Sequence, residues 1–271
     1  EKDPKTGRKK RVQVWPRYHQ LDVVRQSLAD AREHGAGRRY LIQHSAGSGK
    51  SNSIAWLAHQ LIGLRRDGAE VFDSVIVVTD RRILDDQIQK TIRGFMQVGA
   101  TMGHAARSGD LRRYIQEGRK IIVSTVQKFP FILDEIALDA GKHFAIIIDE
   151  AHSSQGGKTS AAMSAALAGG AEDESEEKDP EDAVNEALEA RMAGRKMLTN
   201  ASYFAFTATP KNKTLEMFGE ALPPDAEGKV KHRPFHSYTM KQAIEEEFIR
   251  DVLKCYMPVD SYYKLVKKTE D

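Results

Sequence analysis

The sequence predicts an α/β fold, a parallel β-sheet with helices on both faces, interrupted by an acidic, partly helical insertion. Three observations carry that prediction. Short apolar runs alternate with longer amphipathic stretches along the chain, the rhythm of strand–helix–strand units. Ile146–Ile148 is continuously hydrophobic, as suits a central strand covered on both sides. A glycine-rich turn joins the first apolar run directly to the first long amphipathic stretch.

The elements follow in order. Strands are predicted at Arg39–His44, Ser74–Thr79, Lys120–Ser124, Phe144–Asp149 and Ser202–Phe206, each rich in Ile, Val or aromatic residues and bounded by polar or glycine-containing turns. Between the first two, Lys50–Leu64 reads as a helix with Ile54, Leu57, Ala58, Leu61 and Ile62 on one face. Arg82–Arg93 and Asp110–Glu117 share that periodicity. Residues 155–200 break the rhythm with Gly-Gly pairs, an Ala/Ser/Met-rich run and a charge cluster, and read as an inserted excursion, helical around Ala183–Met192. Phe235–Tyr238 reads as a short strand and Met240–Leu253 as an amphipathic helix.

Composition excludes several classes. With 40% hydrophobic and 30% charged residues the chain suits a globular domain and is long enough for a sizeable core. Its longest apolar run, Phe144 to Ile148, is too short to span a bilayer, and no secretory hydrophobic region follows the N-terminus. The single cysteine, Cys255, excludes a disulfide framework and fits a reducing, cytoplasmic compartment. A start at Glu1 instead of methionine suggests a piece of a longer protein. The formal charge of +2 averages uneven segments: residues 171–190 hold ten acids and one base, leaving 40 bases against 29 acids elsewhere. A basic body beside an acidic excursion points to a polyanionic partner.

Two motifs carry chemistry. The first strand runs into His44-Ser-Ala-Gly-Ser-Gly-Lys-Ser51 and then a helix. Ala46, Gly47, Ser48 and Gly49 can curl backbone N–H groups around phosphates at the helix N-terminus. Lys50 would reach the outer phosphates, and the Ser51 hydroxyl would ligate Mg²⁺. His44 stands where the general G-x-x-x-x-G-K-[ST] pattern has glycine. A second match, Gly157-Lys-Thr159, has no strand before it and reads as loop. The other motif, Asp149-Glu-Ala-His152, ends the most buried strand. Asp149 can hold the Mg²⁺ and Glu150 can orient an attacking water. His152 either couples the site to motion or bonds locally.

Together these resemble the superfamily 2 helicases and translocases, and further pieces stand in the expected order. Arg17-Tyr-His-Gln20 resembles the Q motif, in which Gln20 would pair with the adenine edge. Val77-Val-Thr-Asp-Arg-Arg82 resembles motif Ia, Ser124-Thr-Val-Gln-Lys-Phe129 the next strand-end motif, and Thr207-Ala-Thr-Pro210 motif III, with Thr207 and Thr209 coupling. Each has a plain reading too: Gln20 on a solvated helix, Ser124 and Thr125 as caps, Thr207 as a strand end. The wording is most similar to the motor (R) subunit of type I restriction enzymes, and Tyr238-Thr-Met-Lys-Gln-Ala-Ile244 resembles the approach to that family's second motor domain.

The resemblance implies a RecA-like P-loop NTPase domain using ATP and Mg²⁺, in a protein that translocates on double-stranded DNA. It further implies modification and specificity subunits as partners, in a bacterial or archaeal cytoplasm. The domain boundaries it implies are a basic lead-in at 1–12, a motor domain at 13–250 with its insertion at about 155–200, and from 251 to 271 the start of a connection to a second motor domain. With that second domain and its arginine finger elsewhere, these residues are expected to bind ATP·Mg but hydrolyse it slowly. Thr79, Arg81, Ser124, Thr125 and Lys128 would face DNA phosphates without reading sequence. Arg81 and Lys128 read equally well as surface charge. Two alternatives stand: the RecA-like domain of another superfamily 2 RNA or DNA helicase, and a non-catalytic ATP-dependent binding module.

Overall fold

The computed structural model describes residues 14–79, 102–104, 108–125, 136–137, 139, 141–149 and 198–251. The readings made for 1–12, the helix at Arg82–Arg93, Ala183–Met192, the second glycine-lysine turn, Cys255 and the segment after 251 lie outside them, as do Arg81, Lys128, Glu150 and His152.

Five strands lie at or within a residue of their predicted places: β1 (Arg39–His44), β4 (Ser74–Thr79), β6 (Ile121–Thr125), β7 (Phe144–Ile148) and β8 (Ala201–Thr207). With β5 (Met102–His104) and β11 (His236–Tyr238) they form one seven-stranded sheet in the order β11-β1-β8-β7-β4-β6-β5. Every neighbouring pair in it is parallel. All residues of β4, β7 and β8 are buried, which explains why their central residues form apolar runs instead of alternating with polar ones.

Alternate residues of each strand feed two cores. Tyr40, Ile42, Val75, Val77, Ile147 and Phe204 pack with Val23, Val24 and Ala31 of α1 (Tyr18–His34) and with Ile54, Leu57 and Leu61 of α2 (Lys50–Ile62). Leu41, Ile76, Val78, Ile146 and Tyr203 face the other way. There they meet Ile115 of α3 (Ser108–Gln116) and Phe218 of α4 (Asn212–Phe218). The sheet is therefore covered on both faces, as expected.

Several elements were not foreseen. In α1 the buried positions Val23, Val24, Ser27 and Ala31 sit at helical spacing, but exposed Tyr18 and Leu21 blur the apolar stripe. Between β2 (Arg65–Arg66) and β3 (Ala69–Glu70), Asp67 and Gly68 both have positive φ, 51° and 85°. This is a two-residue hairpin whose Asp-Gly signal was legible. A second small ribbon pairs β9 (Glu220–Ala221) with β10 (His232–Arg233).

One prediction needs correction. The helix expected over Met240–Leu253 is α5 (Met240–Glu245), only six residues long. It opens on Thr239, whose Oγ1 accepts from the Gln242 N–H at 3.2 Å. It closes in a Schellman motif: Phe248 N donates to Ala243 O (2.9 Å) and Glu247 N to Ile244 O (3.0 Å), with Glu247 left-handed at φ 60°. No glycine marks that stop. Among the described residues, no helix is long and apolar enough to cross a membrane.

Candidate functional site

In a parallel sheet all strand C-termini share one edge, and Thr79, Ser124, Thr125, Asp149 and Thr207 lie along it, with the glycine-rich loop after β1. The β1–α2 turn lies at one end of the group. Thr207 ends β8, the strand hydrogen-bonded between β1 and β7, and Asp149 follows β7 directly. With neighbouring strands roughly 5 Å apart, the glycine-rich loop and Asp149 stand about 10 Å from each other across the end of β8. Asp149 is 6% exposed, and its N–H bonds Val78 O at 2.9 Å.

The loop is built as a cradle. Gly47 and Gly49 have φ of 75° and 82°, a region L side chains rarely adopt. A Cβ on Gly49 would lie 2.5 Å from Gln20 Nε2, and one on Gly47 would lie 3.1 Å from Ile249 Cγ2. Gly49 serves as the N-cap of α2, its carbonyl accepting from Asn52 N (3.0 Å). The positive end of the helix dipole and its first-turn N–H groups thus face the loop, with Lys50 and Ser51 partly exposed at its start.

Gln20 is placed differently from an adenine reader. Its Nε2 donates to Ser48 O (3.2 Å) and Gly49 O (3.0 Å), while its Oε1 accepts from Arg17 N (2.8 Å). Pairing with an adenine would require the amide to exchange these bonds for bonds to the base. As it stands, Gln20 holds two loop carbonyls back against α1. In a trans peptide the N–H points opposite to its C=O, so this turns the Gly49 N–H away from α1.

Behind the loop lies a network with no counterpart in the sequence reading. His19 Nε2 reaches the same Ser48 carbonyl at 3.1 Å, and its ring stacks on Tyr238 at 3.8 Å with planes 7° apart. His44 is fully buried, its Nε2 2.9 Å from His236 Nδ1, whose Nε2 lies 3.2 Å from Asp22 Oδ2. Burial holds His44 neutral, moving its pKa down to about 3 with help from His236, His19 and Lys50. Burial also lowers that of His19. In front, Glu246 accepts from Tyr18 OH (2.6 Å) and Tyr238 OH (2.8 Å), and these bonds hold its carboxyl below the usual range. Burial and Glu246 push the Tyr18 hydroxyl up to about 12. The Arg17 guanidinium sits 4.2 Å over the Phe248 ring. The sequence showed R-Y-H-Q and Y-T-M-K-Q separately. Their meeting depends on the register His44↔Tyr238, which joins segments almost 200 residues apart.

The DNA-facing expectations divide. Thr79 and Ser124, at the ends of paired strands β4 and β6, are fully buried, and their hydroxyls have no hydrogen-bond partner among the described residues. So placed, they do not present an oxygen to an outer phosphate. Thr125 is partly exposed, and Thr209, after β8, is exposed. Among the described residues no group of three or more His, Cys, Asp or Glu side chains could hold a metal ion.

A parallel α/β sheet with a glycine cradle at a helix N-terminus and a carboxylate two strands away defines a P-loop nucleotide-binding domain. The SWI2/SNF2 ATPase family matches residues 19–262, and the chain belongs to that family. No curated protein matches it. Among solved structures it is similar to a nuclease-deletion mutant of the type ISP restriction-modification enzyme LlaGI in complex with a DNA substrate mimic. That match has 14% identity and a TM-score of 0.51, covering 89% of this chain and 22% of that one. It is also similar to a hypothetical ATP-dependent RNA helicase from Sulfolobus tokodaii (15% identity, TM-score 0.45, 76% of this chain and 51% of that). The Hef helicase domain of Pyrococcus furiosus gives 16% identity and a TM-score of 0.44, over 74% and 35% of the two chains. At such identities the likeness concerns the fold alone. The chain spans about half the length of the Sulfolobus protein and less of the other two.

Proposed function

We propose that this chain is the ATP-binding half of an ATP-dependent double-stranded DNA translocase of the type I restriction R-subunit kind. One observation carries the nucleotide part: the glycine cradle between β1 and α2, with its carbonyls held back, shares the C-terminal edge of the sheet with the buried Asp149, two strands away. The backbone of Ala46–Gly49 and the side chain of Lys50 would hold the phosphates, with Ser51 and Asp149 toward Mg²⁺. The residues fit that group, because Gly47 and Gly49 hold positive φ values that L side chains rarely adopt, and a Cβ at either would press on Ile249 or Gln20 and displace the loop. A bound metal would neutralise charge on the transferring phosphoryl group. Glu150, beside Asp149, would orient water, and Thr207, Thr209 and His152 would relay the state of the site.

The restriction-motor part rests on the motif wording and on the likeness to the LlaGI fold. It makes duplex DNA the track, contacted through Thr125, Arg81 and Lys128, with Thr79 and Ser124 joining only if the edges of β4 and β6 open. Modification and specificity subunits would be the further partners.

ATP binding to the 271-residue chain tests the core of the proposal. Lys50→Ala should weaken ATP·Mg by at least about tenfold, the loss of a charge-assisted bond to phosphate. Glu150→Gln should leave binding intact while stopping whatever turnover the wild type shows. ATP binding without turnover in the wild type, unaltered by Glu150→Gln, would instead identify a binding module, and unchanged affinity in Lys50→Ala would defeat the phosphate reading.

A further inference from the structure

The three histidines behind the loop have no part in the function proposed above, yet their hydrogen bonds join them into one chain. A carboxylate only accepts, so His236 donates to Asp22 through Nε2, and as a neutral ring it offers a bare Nδ1 to His44. His44 must then donate its Nε2–H across 2.9 Å, which leaves its own Nδ1 bare, buried and without a partner among the described residues. His19 repeats the pattern. The Ser48 carbonyl only accepts, so Nε2 carries the proton and the bare Nδ1 is again buried and unpartnered. In this arrangement His236, His44 and His19 all donate through Nε2.

The rings also fix one another in space. His44 meets His19 edge-on at 5.4 Å, and His19 is pressed against Tyr238. The Tyr238 carbonyl in turn accepts the Ser45 N–H at 2.9 Å. Asp22 and His19 reach this cluster from α1, Lys50 from α2, and His236 and Tyr238 from β11, with Glu246 beyond them. A route therefore runs from Asp22 through His236, His44 and His19 to the carbonyl that orients the loop.

We propose that His236 is a positioning residue for the phosphate loop: oriented by Asp22, it fixes the His44 ring and, through His19, the Ser48 peptide. The inference rests on the reading of the loop as an ATP phosphate site. His44 occupies the place of a glycine in the general pattern because here the strand end is secured by a side chain, from a segment that enters the sheet last. The segment 236–249 thereby acquires a grip on nucleotide affinity without touching nucleotide.

The test compares His236→Leu, which fills the space but cannot accept from His44, with His236→Asn, whose amide oxygen stands near the former Nδ1. ATP·Mg affinity is measured by titration calorimetry, and the imidazole tautomers are read from ¹⁵N shifts. His236→Leu should weaken ATP by about tenfold, the cost of a buried donor left unsatisfied, while His236→Asn should stay within about threefold of wild type. Asp22→Ala, at a half-exposed side chain that leaves the core intact, should move the His236 nitrogens from one tautomer to a mixture and weaken ATP severalfold. Equal losses in the Leu and Asn variants would reduce His236 to a packing residue and overturn the proposal. Wild-type affinity in His236→Leu and Asp22→Ala would do the same. A wild-type chain that bound no ATP would defeat the phosphate-site reading first, and this inference with it.

Discussion

At the scale of single residues, His44 has the largest environmental effect on a histidine in the described site. An unfolded chain protonates it near pH 6.5, whereas burial in the fold delays this to about pH 3. Between those values the unfolded chain holds the extra proton, so stability is complete above the upper pH and is lost as pH falls through the window. The slope for this group approaches about 1.4 kcal/mol per pH unit in that range. Urea unfolding of the wild type between pH 7 and pH 4.5 should show that decline, and His44→Leu should show a shallower one. Parallel slopes for the two proteins would mean that His44 titrates normally. The sequence revealed His44 only as a departure from a phosphate-loop pattern. Its meaning depended on His236 and Asp22, which no local pattern connects to it.

At the scale of elements, the strands were the most legible part. A strand buried on both faces needs an unbroken apolar run, and β4, β7 and β8 have such runs. Helix ends were less so. α2 was clear at its start, where glycines precede it, but was read two residues too long, through the Gly63 that ends it. α5 was read several residues too long because its stop is Glu247, a residue with no intrinsic preference for the left-handed region. That mismatch yields a prediction. Glu247 is exposed, and glycine adopts φ 60° freely, so Glu247→Gly should stabilise the protein by about 1 kcal/mol. A melting temperature higher by about 2–4 °C would register it. A drop would show that the Glu247 side chain does more than bear the turn. The turn at 246–249 that follows α5 also carries Phe248 and Ile249 back against Arg17 and the Gly47 loop, so a continuous helix would have removed them from the site.

At the scale of the whole molecule, the net charge of +2 conceals a basic body and an acidic stretch at 171–190. If duplex DNA is the partner, the body supplies the attraction, because backbone-directed binding releases about 0.9 counterion for each phosphate neutralised. The acidic stretch then opposes it through the long-range field, which salt screens beyond about 10 Å at 0.1 M. The two effects have different salt signatures. Duplex affinity of the whole chain should fall with salt, with a log–log slope of at least about −2 for two or three phosphate contacts. Deleting 171–190 removes ten acids and one base, and should raise affinity at low salt, with the gain shrinking as salt increases. Fluorescence anisotropy with a labelled random duplex, from 20 to roughly 300 mM salt, covers the range over which screening changes most. A salt-independent affinity would remove DNA from the partners. A gain that persisted at high salt would mean that the acidic stretch blocks the DNA face by occupying it, since screening weakens distant repulsion but leaves direct contact in place.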